Sequence, residues 1–199
     1  MTITSDVLPV VTPADHVSGP PQGHWTYADY AALQDDGNRY EIIDGVIYMA
    51  PAPLTAHQSA SNLFATYLTI SVQFAGLGRV FAAPTDVELT LSNVLQPDVI
   101  VVLNANMHII TASRITGAPD LIVEIISPGT SGYDRREKQD AYANAGVTEY
   151  WIADPSTQTV ELLQLGGQAY RSLGVFRGQA TLPSQVVPDL PVKVEQFFV

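Results

Sequence analysis

The sequence predicts one α/β (α+β) domain built on a mixed sheet flanked by helices. Three observations lead there. Two strong helix patterns alternate with about eight strand patterns. Several of those strands are neighbours in the chain joined by tight turns, which gives antiparallel pairs. Two others, VIVVL at 99–103 and LIVEII at 121–126, are β-branched apolar runs suited to burial on both faces. With 199 residues the chain is long enough for a full single core.

Residues 1–23 are rich in Pro, Thr and Ser and end in GPPQG, which predicts a flexible arm ahead of a single domain over 24–199. Thr26 and Asp29 have capping-box spacing and open a short helix from Tyr27 to about Gln34. RYEIIDGVIYM predicts a hairpin turning at Asp44-Gly45, with Glu41 in its first strand. Pro51 and Pro53 then break the chain. Thr55 starts a long helix to about Ala75, with His57 in its first turn and Leu63, Tyr67, Ile70 and Phe74 as its core stripe. From Gly45 to Gly78 there is no Asp, Glu, Lys or Arg, but polar residues keep any apolar run short of the roughly 18 that a membrane span needs.

Arg79–Ala83 and Val87–Leu91 read as strands, and Asn93 as the start of a turn. Asp98 heads the buried strand VIVVL. Residues 104–118 read as irregular, and the central strand follows at Leu121–Ile126. Asp134 then reads as an N-cap with Glu137 three positions on, opening a helix that carries Lys138. Glu149–Ala153 is another strand, and TVELLQL and QAYRSLGVF form a hairpin about Gly166-Gly167. The last residues form an irregular tail or short helix.

Composition sets limits on partners. Hydrophobic residues make up 46% and charged ones 15%, against about 25% charged in an average soluble domain. The surplus apolar surface predicts a homodimer. A net charge of −11 excludes a general nucleic-acid binder, so an anionic substrate needs local cations or a bound metal. The absence of cysteine excludes disulfides and thiolate metal sites. With no signal-peptide pattern and no membrane span, the expected location is cytoplasmic.

The chemistry lies around 98–138. A carboxylate inside a β-branched strand is costly without a partner, which singles out Glu124. Asp98 heads the neighbouring buried strand. A hard divalent cation, Mg²⁺ or Mn²⁺, takes one or two protein carboxylates, and the Ile125 carbonyl beside Glu124 would add a third oxygen. Ala141, Tyr142 and Ala145 share a helix face with Lys138 that should turn toward the sheet, bringing a lysine to the same pocket. Acid, acid and lysine about a metal suit phosphodiester hydrolysis. Each residue also has a structural reading. Asp98 suits a turn, Lys138 a snorkelling edge position, Glu41 a solvent-facing hairpin site and His57 a core or helix-start histidine. Arg135 and Arg136 suit a solvated face, yet with Lys138 they gather three cations in four positions.

RYEIIDGVIYM, APLTAHQ, QPDVIVV, GAPDLIVEIISPGT and YDRREKQDAYANAGVTEYWIADP together resemble the Uma-two family of endonucleases, within the PD-(D/E)XK nuclease superfamily. The resemblance runs from about Trp25 to the C-terminus. It implies a restriction-endonuclease-like fold and metal-dependent cleavage of DNA, with Asp98 and Glu124 as metal-binding acids. The superfamily lysine two residues after the second acid is replaced here by Ile126, and the resemblance implies Lys138 in its stead. Glu41 and His57 match further positions near the site, and Arg135 stands beside it. The rival reading is a non-catalytic dimerisation or partner-binding module on the same scaffold. A third is hydrolysis of a smaller phosphodiester.

Overall fold

The computed structural model describes residues 11–127 and 129–199. Two six-stranded sheets carry the chain. The strands are β1 (Thr12–Pro13), β2 (Arg39–Ile43), β3 (Val46–Ala50), β4 (Gly78–Ala82), β5 (Val87–Thr90), β6 (Asn93–Leu95), β7 (Val99–Leu103), β8 (Ile115–Thr116), β9 (Leu121–Ile125), β10 (Glu149–Asp154), β11 (Thr159–Gly166) and β12 (Ala169–Arg177). One sheet has the order β1-β3-β2-β6-β5-β8, the other β12-β11-β10-β9-β7-β4. Helix α1 is Tyr27–Ala31, and α2 is Thr55–Leu68 continued by a π turn over Thr69–Gln73. Helix α3 opens at Ser131–Tyr133, widens to a π turn at Asp134–Lys138 and returns to α geometry over Gln139–Ala145. No helix among the described residues is long and apolar enough to cross a membrane.

The second sheet is mixed, as the pattern predicts. β7 and β9 pair antiparallel, while β9 and β10 run parallel with Leu121 opposite Glu149. A parallel pair needs a crossover, and α3 supplies it. Successive residues of β7 and β9 feed opposite cores. Val99, Val101, Leu121, Val123 and Ile125 join the core under α2 and the C-terminal segment. Ile100, Val102, Ile122 and Ile126 join the core under α3, which includes Tyr142 and Tyr150. That alternation sets Glu124 on the α3 face.

Turn chemistry fixes the hairpin of β2 and β3. Asp44 and Gly45 both have positive φ, as a two-residue turn of this kind demands. Gly45 also abuts the Gly23 backbone so closely that a Cβ would clash. Asp29 accepts from both the amide and the hydroxyl of Thr26, so the expected capping box is present.

Four expectations are corrected. The first ten residues of the expected arm lie outside the described ones; from there on the segment is docked, with Thr12–Pro13 paired to β3 and Ala14 buried. Asn93 opens strand β6 rather than a turn, because its side chain is engaged by the Asp44 amide. The buried stripe of α2 is Ala60, Phe64, Leu68 and Val72, while Ile70 and Phe74 face outward. Phe64 stacks on Phe197 of the C-terminal 3-10 turn Val194–Phe198, with ring centroids 3.9 Å apart, and this partner sets the helix rotation. Asp134 is not an N-cap: α3 starts three residues earlier, and Asp134 is buried within it.

Candidate functional site

Extending the β7–β9 register by one position, from Val99 opposite Val123, sets Asp98 opposite Glu124 on the α3 face. Directly opposed cross-strand residues have Cβ atoms about 5 Å apart, and like charges there repel unless something compensates them. Both residues are buried. They line a solvent-open cleft of about 680 Å³ with Arg39, Glu41, His57 and Lys138.

Compensation comes from two sides. Lys138 reaches down from α3 to stand 3.0 Å from Glu124 Oε1, 3.0 Å from Glu41 Oε1 and 3.6 Å from Asp134 Oδ1. It donates a hydrogen bond to Glu124, while the Glu41 and Asp134 carboxylates lie within ion-pair distance of the same ammonium. Tyr142, one helical turn on, donates its hydroxyl to the same Glu124 oxygen at 2.6 Å. On the other side, His57 Nε2 lies 3.2 Å from Asp98 Oδ2, and the Ile125 amide donates to that oxygen at 2.8 Å. Glu41 is fixed by the Gln96 amide, which donates to its Oε1 at 3.0 Å.

The electrostatics record a shortage of positive charge. Burial pushes the Glu124 carboxyl well above its usual range; Lys138 pulls it down, and Asp98, Asp134 and Glu41 push it further up. Burial raises Asp134 to about 6, against the pull of Lys138. Asp98 is the exception. Burial works against its ionisation, but the hydrogen bond and charge of His57 and the Ile125 amide bring it below the ordinary value. Burial works against the Lys138 charge too, yet Glu124, Glu41 and Asp134 together hold its pKa far above that of a free lysine.

Four carboxylates thus face two fixed cations, Lys138 and Arg39, with His57 as a conditional third. Among the described residues no three His, Asp or Glu side chains converge as a ready-made metal cluster. The donor set nevertheless suits a single hard cation. Two carboxylates are available, and the negative surplus favours a divalent ion. The Ile125 amide points to Asp98 while the Ile126 amide points the other way, to the Ala153 carbonyl at 2.8 Å. Since a strand residue's N–H and C=O share an edge, the Ile125 carbonyl lies on the Asp98 side.

The structure brings Asp98, Glu124, Ile125, Lys138, Glu41 and His57 to this one cleft. It does not bring Arg135 there. That guanidinium turns outward to Glu161 of β11, at 2.5 Å. Sequence reasoning missed Asp134, Tyr142 and Tyr133 as members of the site. The four-residue step from Asp134 to Lys138, and again to Tyr142, was the signal that would have found the first two. Among the described residues the other two buried acids, Asp120 and Glu149, are held by hydrogen bonds away from the cleft. Asp120 accepts from the Leu103 amide at 2.7 Å and from Asn106 at 2.8 Å. Glu149 accepts from Trp151 Nε1 at 3.0 Å and Ser184 Oγ at 2.7 Å.

Comparison with known proteins gives a family and a fold. The Uma2 family model, described as "Putative restriction endonuclease", matches residues 27–195. Among solved structures the chain is similar in fold to one titled as a "putative nuclease" from Anabaena variabilis. The TM-score is 0.72 at 21% identity, covering 87% of this chain and 97% of that one. No curated protein matches the chain.

Proposed function

From the premise that this chain belongs to the Uma2 family, we propose that it is a metal-dependent endonuclease hydrolysing phosphodiester bonds in DNA. The observation that carries the reading is the placement of Lys138. A buried ammonium 3.0 Å from Glu124 stands in the same cleft as Asp98, the arrangement that hydrolysis at a phosphate calls for.

Asp98 and Glu124, with the Ile125 carbonyl, would hold one Mg²⁺ or Mn²⁺. Such an ion, when bound, polarises the phosphate and makes water a better nucleophile. Lys138 orients the attacking water or offsets charge that builds on the phosphate. Glu41 and Asp134 hold the ammonium in place, and His57 steadies Asp98. The net charge of −11 leaves DNA approach to the cations in and beside the cleft, and it makes shorter phosphodiesters a substrate worth assaying alongside.

The test is cleavage of duplex DNA, single-stranded DNA, RNA and a dinucleotide with Mg²⁺ or Mn²⁺, in wild type, Glu124→Ala and Lys138→Ala. Loss in both variants is expected, and a wild type that cuts nothing with either ion sinks the reading. A second reading, a non-catalytic partner-binding module, draws on the missing three-ligand cluster among the described residues. It predicts no Mn²⁺ binding by calorimetry.

The homodimer expected from composition belongs to this proposal. Ile70, Phe74 and Leu77 lie uncovered at the end of α2, at 53%, 76% and 47% exposure. A second copy is the occupant we assign to that apolar face.

A further inference from the structure

Among the described residues three buried side-chain atoms have no hydrogen-bond partner: Nδ1 of His57, the hydroxyl of Tyr133 and Oε2 of Glu137. The first two belong to residues lining the candidate cleft. Buried polar atoms are paired in the great majority of cases, so two exceptions in one cleft mark where a ligand's polar atoms would lie.

Tyr133 is the sharper of the two. It is 8% exposed, and its ring is fixed on two sides. Tyr48 packs against it with centroids 5.1 Å apart, and the Lys138 ammonium stands 5.6 Å from the ring centre. Burial, and after it the nearby Glu41 carboxylate, push the phenol's ionisation well up, so the hydroxyl keeps its proton. A protonated phenol is a hydrogen-bond donor and a poor ligand for a hard cation. It suits an anionic oxygen, and no protein acceptor meets it among the described residues. Arg39 gives the same cleft a second donor. Its Nε and Nη2 are engaged by Gln96, and it forms no ion pair among the described residues.

We propose that the Tyr133 hydroxyl donates a hydrogen bond to a non-bridging oxygen of the phosphodiester in this cleft, and so acts as a substrate-binding residue. The substrate class rests on the nuclease reading above; the donor, its burial and its lack of a partner do not. Lys138 and Tyr133 stand on one helix, so a phosphate between them is gripped by a charge and by a directional neutral donor.

The experiment is Tyr133→Phe in the full chain, which removes one oxygen and keeps the ring. Binding of thymidylyl-(3′,5′)-thymidine is measured by calorimetry with Ca²⁺ present, cleavage by steady-state kinetics, and stability by thermal unfolding. Binding is expected to weaken about 10- to 100-fold, the effect of losing a hydrogen bond to a charged group. KM should rise more than kcat falls, and Tm should hold or increase, because a buried unpaired hydroxyl is gone. Equal binding by variant and wild type overturns the proposal, as does a wild type that fails to bind the dinucleotide. A loss of binding matched by a fall in Tm also overturns it, since the hydroxyl would then be supporting the fold. A wild type that binds but cuts nothing fails the nuclease reading alone, and the binding ratio still decides the role of Tyr133.

Discussion

The Lys138 ammonium stands 3.0 Å from Glu124 Oε1, joining a helix residue to a strand residue fourteen positions earlier. The contact exists because α3 crosses the face of β9 on which Glu124 lies, and Glu41 and Asp134 depend on the same ammonium. Lys138→Met should therefore strand buried carboxylates. Removing one partner of such a set costs about 3–5 kcal/mol. Urea unfolding at pH 8 should show that loss. At pH 5 it should shrink, because Glu124 and Asp134 can then take up protons instead. A loss equal at both pH values would mean that the ammonium is not what compensates these acids.

Asp134 gives the pH dependence a sign. Its folded pKa of about 6 lies above its ordinary 3.8, so the folded protein binds this proton more tightly than the unfolded chain. That contribution is whole below about pH 4, declines as pH rises through 6 and is gone above. Asp98 runs the opposite way, because its depressed pKa adds stability that is lost as pH falls through the acid range. Measured in a chelating buffer, Asp134→Asn should flatten the decline between pH 4 and 6, a term on the order of 3 kcal/mol. An unchanged slope in the variant would assign the titration elsewhere.

Much of this site is legible in the sequence, because an acid amid β-branched residues is conspicuous and a lysine on an apolar helix face has few places to go. Glu124 and Lys138 are found that way. Asp134 is not. A Ser or Asp before a helix suits an N-cap, and only the three extra residues of α3 at Ser131–Tyr133 carry Asp134 inside. The α2 stripe fails for another reason. Ala60, Phe64, Leu68 and Val72 form one apolar line and Leu63, Tyr67, Ile70 and Phe74 another, and with no charge on the helix, polarity does not choose between them. The choice is made by Phe197, more than a hundred residues downstream, which no local pattern contains. Likewise the pairing of His57 with Asp98 depends on where α2 crosses β7.

A cation held by Asp98 and Glu124 should show itself before any catalysis is assayed. Mn²⁺ at a hundred times its dissociation constant stabilises a one-site binder by about 2.7 kcal/mol. Thermal unfolding with and without Mn²⁺ should therefore separate clearly in wild type. Asp98→Asn and Glu124→Gln should each narrow that separation, while Asp120→Asn, whose carboxylate is taken by Leu103 and Asn106, should leave it intact. No separation in wild type would remove the metal from the proposal.

The outward side chains of α2 predict an oligomeric state. Ile70 and Phe74 are four positions apart, and Leu77 follows in the turn before β4. An apolar face left to water on a chain with 15% charged residues favours self-association. Sedimentation should find a dimer in wild type and a monomer in Phe74→Glu, with the circular dichroism of the two unchanged. A wild type that sediments as a monomer refutes the assignment directly.

Glu149 separates stability from chemistry. It is fully buried and has no basic partner among the described residues, yet Trp151 and Ser184 donate to one of its oxygens, and the Gln185 and Val186 amides to the other. It thus ties β10 to the segment that leads to the C-terminal turn, whose Phe197 packs under α2. Glu149→Ala leaves several buried donors unpaired at once, each worth about 1–3 kcal/mol, so a loss of at least about 3 kcal/mol is expected in urea unfolding. The site lies on the opposite side of the sheet, where β9 presents Glu124 to α3. Below the midpoint of its unfolding, the variant should therefore keep wild-type Mn²⁺ affinity. Weakened Mn²⁺ binding by a folded Glu149→Ala chain would mean that the two faces of the sheet are coupled, and that the C-terminal segment helps to set the site.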